Sequence, residues 1–121
     1  MSNNQLKSLS RPVLEQLADR FKVLGEVNRL TVLSALRRGE RTVTELIDET
    51  GLGQANLSKH LTLLHRLGFV QRRREGLNVI YSLADEDVFA ICDIMCGRLD
   101  RETTAQRKAL AGARRPGGRR G

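Results

Sequence analysis

Thr42-Val-Thr-Glu45 and, a little further on, Gly51-Leu-Gly-Gln-Ala-Asn-Leu-Ser-Lys-His-Leu-Thr-Leu-Leu-His-Arg-Leu67 decide the fold of this 121-residue chain. The first four residues form a Thr-x-x-Glu capping box, which opens a short helix that carries Leu46 and Ile47 inward. Gly51-Leu52-Gly53 ends that helix with the short glycine-containing turn of a helix-turn-helix. A second helix is expected from Gln54 to Leu67, and its two sides differ in chemistry. Leu57, Leu61, Leu64 and Leu67 form one apolar stripe. The other side holds Gln54, Asn56, Ser58, Lys59, His60, Thr62 and Arg66, groups able to bond to phosphates or base edges.

A hairpin follows directly. Phe69 to Arg73 and Val79 to Leu83 are strand-like, joined across Arg74-Glu75-Gly76-Leu77-Asn78. Arg72, Arg73, Arg74 and Asn78 sit at its mouth. A helix-turn-helix followed by a basic hairpin makes a winged helix: a mainly α fold with a two-stranded β wing. Such a unit implies double-stranded DNA as the partner.

Charge is distributed accordingly. The net charge is +7, but residues 1–106 hold 15 Lys and Arg against 14 Asp and Glu. Within residues 51–84, Lys59, Arg66, Arg72, Arg73 and Arg74 face Glu75 alone. Arg107, Lys108, Arg114, Arg115, Arg119 and Arg120 supply the rest, with no acid after residue 106. The excess therefore lies on the proposed reading surface and on the tail.

Around the reading unit, Pro12 suits a first helical position, and Leu14, Leu17, Ala18, Phe21 and Leu24 form a stripe ending at Gly25. Another helix begins near Asn28 and carries Leu30, Leu33 and Leu36 up to Gly39. After the wing, Asp85-Glu86-Asp87 opens a helix with Val88, Cys92, Met95 and Leu99 on one stripe and Phe89, Ile91 and Cys96 beside it. That stripe is wider than one neighbour covers in a small domain. The first and last helices are therefore expected to form a symmetric homodimer interface, which would place two reading helices on successive half-sites. The expected organisation is a flexible stretch at residues 1–11, one winged-helix domain at 12–106 and a basic disordered tail at 107–121. The N-terminus lacks an apolar leader core and no run approaches a membrane span, so a cytoplasmic protein without membrane contact is expected.

Phe21-Lys-Val-Leu-Gly-Glu-Val-Asn-Arg-Leu30, Ser58-Lys-His-Leu61, Leu67-Gly-Phe-Val70, Arg74-Glu-Gly76 and Tyr81-Ser-Leu83 together resemble the ArsR/SmtB family of bacterial repressors over roughly residues 13 to 100. The resemblance implies a homodimeric winged helix that holds an operator until an inducer weakens the grip. It also implies that the helix from Gln54 enters the major groove and the wing reaches the neighbouring backbone or minor groove.

The family's familiar metal sites are altered in this chain. The Glu-Leu-Cys-Val-Cys-Asp-Leu box of its metalloid and cadmium sensors aligns with Glu40-Arg-Thr-Val-Thr-Glu-Leu46, which replaces both thiols by Thr42 and Thr44. The Asp, His, His and Glu of its zinc sensors align with Asp85, Asp87, Arg98 and Arg101. Cys92 and Cys96 remain as the one soft, redox-active pair, on one face of the last helix near the expected dimer seam. Two readings stay open: small buried hydrophobes, or a sensor for oxidants, reactive sulfur or As(III). No cofactor is otherwise expected, and no nucleophile, base and orienting group converge as an enzyme requires. His60 could instead bond within the turn. Arg29 is expected to pair with a carboxylate, Tyr81 to pack under the wing, and Glu75 to point away from phosphate or read a cytosine amine.

Overall fold

The computed structural model describes residues 9–114, with side chains described as far as residue 112. It divides into two compact units after Asp85. The first contains α1 (Arg11–Leu24), α2 (Val27–Arg37), β1 (Arg41–Thr42), α3 (Val43–Thr50), α4 (Gln54–Arg66), β2 (Val70–Glu75) and β3 (Asn78–Leu83). The second contains α5 (Asp87–Arg114). This is the winged helix-turn-helix expected from the sequence.

Local chemistry explains each boundary of the reading unit. The Thr42 hydroxyl accepts the Glu45 amide at 3.1 Å, and the Glu45 carboxylate accepts the Thr42 amide at 2.8 Å. Two donors that a helix start leaves orphaned are thereby satisfied. At the other end Gly51 takes a left-handed conformation (φ 74°) and its amide donates to the Ile47 carbonyl at 2.9 Å. A Cβ-bearing residue would be strained there. The Thr50 hydroxyl donates to the Leu46 carbonyl at 2.6 Å and accepts the Leu52 amide at 3.3 Å, pinning the turn into α4.

Val32 and Leu33 of α2, Leu46 of α3, Leu57, Leu61 and Leu64 of α4, and Val70 of β2 form the fully buried centre. Of the expected α4 stripe, Leu67 falls at the C-cap and is half-buried. Leu30 of α2 is exposed, and Ala35 takes the buried place beside Leu36.

The sheet has three strands in the order β1-β3-β2, all antiparallel. The third strand is β1, in which Arg41 pairs with Tyr81 and Thr42 with Ile80. Thr42 thus serves both a strand and a helix cap. The wing is also tighter than its sequence suggests, because β2 and β3 pair down to Glu75 with Asn78. Only Gly76 and Leu77 remain in the turn. Gly76 has φ 61° and Leu77 does not have a positive φ, the pattern of a type II′ hairpin.

In the first unit, α1 buries Val23 and leaves Leu14, Leu17 and Phe21 exposed. In the second, α5 buries Val88 and Phe89 and exposes Ile91, Ile94, Met95, Leu99 and Leu110. The helix α5 continues through residues 107–114, where an irregular tail is expected from the sequence, in a segment with three alanines. Residues 1–8 and 115–121, on which the rest of the two terminal expectations falls, lie outside the described residues. Among the described residues, no helix is long and apolar enough to cross a membrane.

Two substitutions separate the cap from the core. Thr42→Ala should cost about 1 kcal/mol of unfolding free energy. Leu61→Ala should cost about 2–5 kcal/mol, because it opens a cavity in a fully packed centre. Urea unfolding followed by circular dichroism measures both, and equal losses would contradict this division.

Candidate nucleic-acid interface

Burying the leucines of α4 determines what the helix offers to solvent. Gln54, Asn56, Ser58, Lys59, Thr62 and Arg66 are all exposed. Asn56, Ser58, Lys59, Thr62 and Arg66, together with Arg29 of α2, border a shallow groove of about 680 Å³. The N-cap of α4 is Gly53, which contributes no side-chain hydrogen bond. The first-turn amides of a helix start point outward with a partial positive charge, an arrangement suited to a phosphate oxygen.

His60 departs from the expected set. It is only 8% exposed, with Nδ1 3.3 Å from a guanidinium nitrogen of Arg29 and Nε2 3.9 Å from the Glu26 carboxylate. It belongs to the interior edge of α4, because it lies at the margin of the buried leucine arc, next to Leu64. Among the described residues the Arg29 side chain has no ion pair with a carboxylate, contrary to expectation; its guanidinium takes the Val23 carbonyl at 2.6 Å and His60. The signal that could have moved it to the site is its place one turn inside the second helix, whose contact with α4 is a tertiary feature.

The wing sorts its arginines by face. Arg72 and Arg74 lie opposite Tyr81 and Val79 in the ladder and share a face with them. Both are exposed, and neither has a carboxylate partner among the described residues. Arg73 points to the other face. Its two terminal nitrogens donate to Glu40 at 2.9 and 2.7 Å, a bidentate pair, and it also reaches Glu75 at 3.1 Å. Arg73 is therefore ion-paired in the free protein, unlike Arg72 and Arg74. Glu75 is held by Arg73, Tyr81 is buried as expected, and Asn78 is exposed at the turn.

The Arg73 hydrogen bond holds the Glu40 carboxyl below the usual carboxylate range. Glu49 is lowered in the same way, first by Arg41 and then by Arg38. Depressed carboxylates favour the folded state above the ordinary carboxylate range, and that contribution fades as pH falls through the folded values. Both groups lie at the surface, so the effect is small and screened by salt.

Cys92 and Cys96 lie on α5, in the second unit; Cys92 is half-buried, Cys96 is exposed, and neither is in a disulfide. Among the described residues no group of three or more His, Cys, Asp or Glu could hold a metal ion.

The model for the arsR family of bacterial regulatory proteins matches residues 26–72, from the cap of α2 to the start of the wing. Rv0081, an HTH-type transcriptional regulator of Mycobacterium tuberculosis, is 39% identical over 80 residues, covering 65% of this chain and 70% of that protein. Its crystal structure superposes with a TM-score of 0.73 at 34% identity, over 80% of this chain and 98% of the other. A probable mercury resistance operon repressor of Streptomyces lividans is 38% identical over 68 residues, 56% of this chain and 54% of the relative. The homodimeric winged helix-turn-helix DNA-binding domain of Mb0332 from Mycobacterium bovis superposes with a TM-score of 0.69 at 31% identity, over 79% and 89% of the two chains.

The sorting of arginines has a measurable consequence. Lys59→Ala and Arg72→Ala should each flatten the log–log salt dependence of DNA binding by up to about one unit per contact per half-site. Arg73→Ala should change the slope less. Glu40→Gln, which leaves Arg73 with Glu75 alone, should steepen it. Fluorescence-anisotropy titrations across a salt series measure all four slopes, and an Arg73→Ala loss equal to that of Arg72→Ala would contradict the neutralised pair.

Proposed function

This chain belongs to the arsR family of bacterial regulatory proteins, and from that premise we propose that it is a homodimeric transcriptional repressor whose hold on an inverted-repeat operator is released through Cys92 and Cys96. One observation carries the DNA-binding half of this reading: α4 buries Leu57, Leu61 and Leu64 while presenting Gln54, Asn56, Ser58, Lys59, Thr62 and Arg66 outward. Gln and Asn side chains suit adenine edges, and Lys and Arg suit guanine and phosphate. The wing adds Arg72, Arg74 and Asn78, with Arg73 available once Glu40 yields it.

Dimer formation is supported by exposed apolar side chains on two helices, Leu14, Leu17 and Phe21 on α1 and Ile91, Ile94, Met95 and Leu99 on α5. A monomer rarely leaves this much apolar surface in water. The M. bovis relative is homodimeric.

The inducer reading rests on the thiols. Residues four apart on a helix have Cβ atoms about 6 Å apart, whereas a disulfide needs about 3.8 Å. A bridge of three sulfurs spans that gap with less unwinding of the turn. One thiolate attacks an inorganic polysulfide, breaking an S–S bond and expelling hydrosulfide or a shorter polysulfide, to give a cysteine hydropolysulfide. The second thiolate attacks the sulfur bound to the first cysteine's Sγ and expels the remaining outer sulfur as hydrosulfide or polysulfide, closing a trisulfide. Arsenite fits this chain's own donors less well, since two thiols leave a three-coordinate ion short of a ligand. Cytoplasmic residence, where thiols stay reduced by default, is part of the same proposal.

Footprinting should find protection over an imperfect inverted repeat with half-site centres about one or two helical turns apart. Protection without preference for any repeated sequence would defeat the repressor reading. Polysulfide should weaken operator binding about tenfold or more, equivalent to about 1.4 kcal/mol, and should leave the Cys92→Ser/Cys96→Ser and Cys92→Ala/Cys96→Ala proteins unaffected. Unchanged affinity of the wild type under polysulfide, peroxide and arsenite would make the thiols packing groups of α5.

A further inference from the structure

We propose that Arg29 and His60 act as a positioning pair that fixes the roll of the reading helix and ties it to the end of the first helix. The inference rests on the reading of α4 as the DNA-reading helix, and deepens it. Three elements of one compact unit meet at this point. Val23 in the last turn of α1 offers its carbonyl to Arg29 Nε at 2.6 Å. Arg29 in the first turn of α2 also sends a terminal nitrogen to His60 Nδ1 at 3.3 Å, in the middle of α4. Glu26, the N-cap of α2, accepts the Arg29 backbone amide at 3.0 Å and lies 3.9 Å from His60 Nε2.

The chemistry of these groups assigns the protons. Arginine is always charged and carries only donors, so Nδ1 of His60 must accept. The other ring nitrogen, Nε2, faces the Glu26 carboxylate at 3.9 Å. A ring so nearly buried needs such partners, and a polar group left there without them would be costly. A fork-shaped guanidinium can hold the Val23 carbonyl and the imidazole together. A lysine ammonium, a compact head on a flexible stem, cannot reproduce that fixed two-pronged geometry.

Leucine packing does not supply this function. The attraction that buries Leu57, Leu61 and Leu64 is non-directional, so it fixes which edge of α4 faces inward but opposes small rolls about that setting only weakly. A hydrogen bond is directional. His60 sits one turn after Asn56 and next to Lys59, and Arg29 borders the same groove as both. A small roll of α4 would sweep those side chains across a base edge. The Arg29–His60 bond opposes that roll, and because Arg29 also grips Val23, a displaced α1 end would be felt at the reading face.

The experiment uses the full chain with Arg29→Lys, Arg29→Gln, His60→Leu and His60→Asn, plus the Arg29→Lys/His60→Leu double variant. Each is titrated with an operator duplex and with a shuffled duplex over a salt series, and its amide spectrum is recorded without DNA. Arg29→Lys and His60→Leu should each weaken operator binding about tenfold, and the double variant should be no weaker than either. Shuffled-duplex affinity and salt slope should stay within about twofold, since no phosphate contact is removed. His60→Asn, whose side-chain oxygen can replace Nδ1 as acceptor, should recover operator affinity to within about threefold of wild type. Full activity in Arg29→Lys with a flattened slope in Arg29→Gln would instead make Arg29 a phosphate contact and overturn the proposal. Additive losses would overturn it too, as would a fall in thermal stability without any change in operator preference. In the free protein, Arg29→Lys should shift the amides of residues 56–60; unmoved amides would refute the pair whether or not any operator is preferred. Shifted amides in a protein that prefers no operator would sink the repressor reading while leaving the pairing intact.

Discussion

Burial of the leucine edge of α4 is the constraint from which the remaining geometry follows. Leu57, Leu61 and Leu64 are at most 1% exposed, and each such side chain contributes about 1.5–3 kcal/mol on removal from water. Three of them are comparable with the whole net stability of a small domain, about 5–15 kcal/mol. The helix therefore cannot turn another edge inward. With 3.6 residues per turn, fixing that edge places Gln54, Asn56, Lys59, Thr62 and Arg66 in solvent. The capping box before α3 and the left-handed glycine after it hold the two helices at the angle that leaves this face open. DNA recognition is thus a by-product of core packing, with polar chemistry placed on the edge that the core rejects.

How far this could be read from the sequence depended on the range of each interaction. The Thr42–Glu45 box, the Gly51 turn and the leucine spacing are local signals, complete within a few residues, and the structure reproduces them. The β1 strand has two residues and carries no periodicity, so nothing in the chain announces it. The hairpin turn shortened to Gly76-Leu77 because cross-strand pairing continued past the arginines, and a run of three cations gives no register. The partners of His60 and Arg73 are not legible locally, for a common reason. Each is governed by a partner about 30 positions away, Arg29 for one and Glu40 for the other. Polar residues on a helix or hairpin look like reading groups until a distant partner claims them.

The basic residues are consequently unequal. Arg73 is held by two carboxylates, Arg29 is turned inward, and Arg41 and Arg38 share Glu49. Lys59, Arg66, Arg72 and Arg74 carry the positive field of the candidate interface. Net charge alone would have counted them all alike. The two cysteines fit the same lesson from the other side: their spacing was visible in the sequence, but what a spacing of four permits follows from helix geometry. It disfavours a direct disulfide and leaves longer bridges open.

The central claim is that one face, made of α4 and the wing, meets the DNA. Titrating isotope-labelled protein with an operator duplex and following its amide and side-chain resonances tests that claim most directly. The account predicts the largest changes at residues 54–56, 58, 59, 62 and 66 and at 72–78, with small changes at Leu57, Leu61 and Leu64. Dominant changes along α1, with α4 and the wing unperturbed, would contradict it.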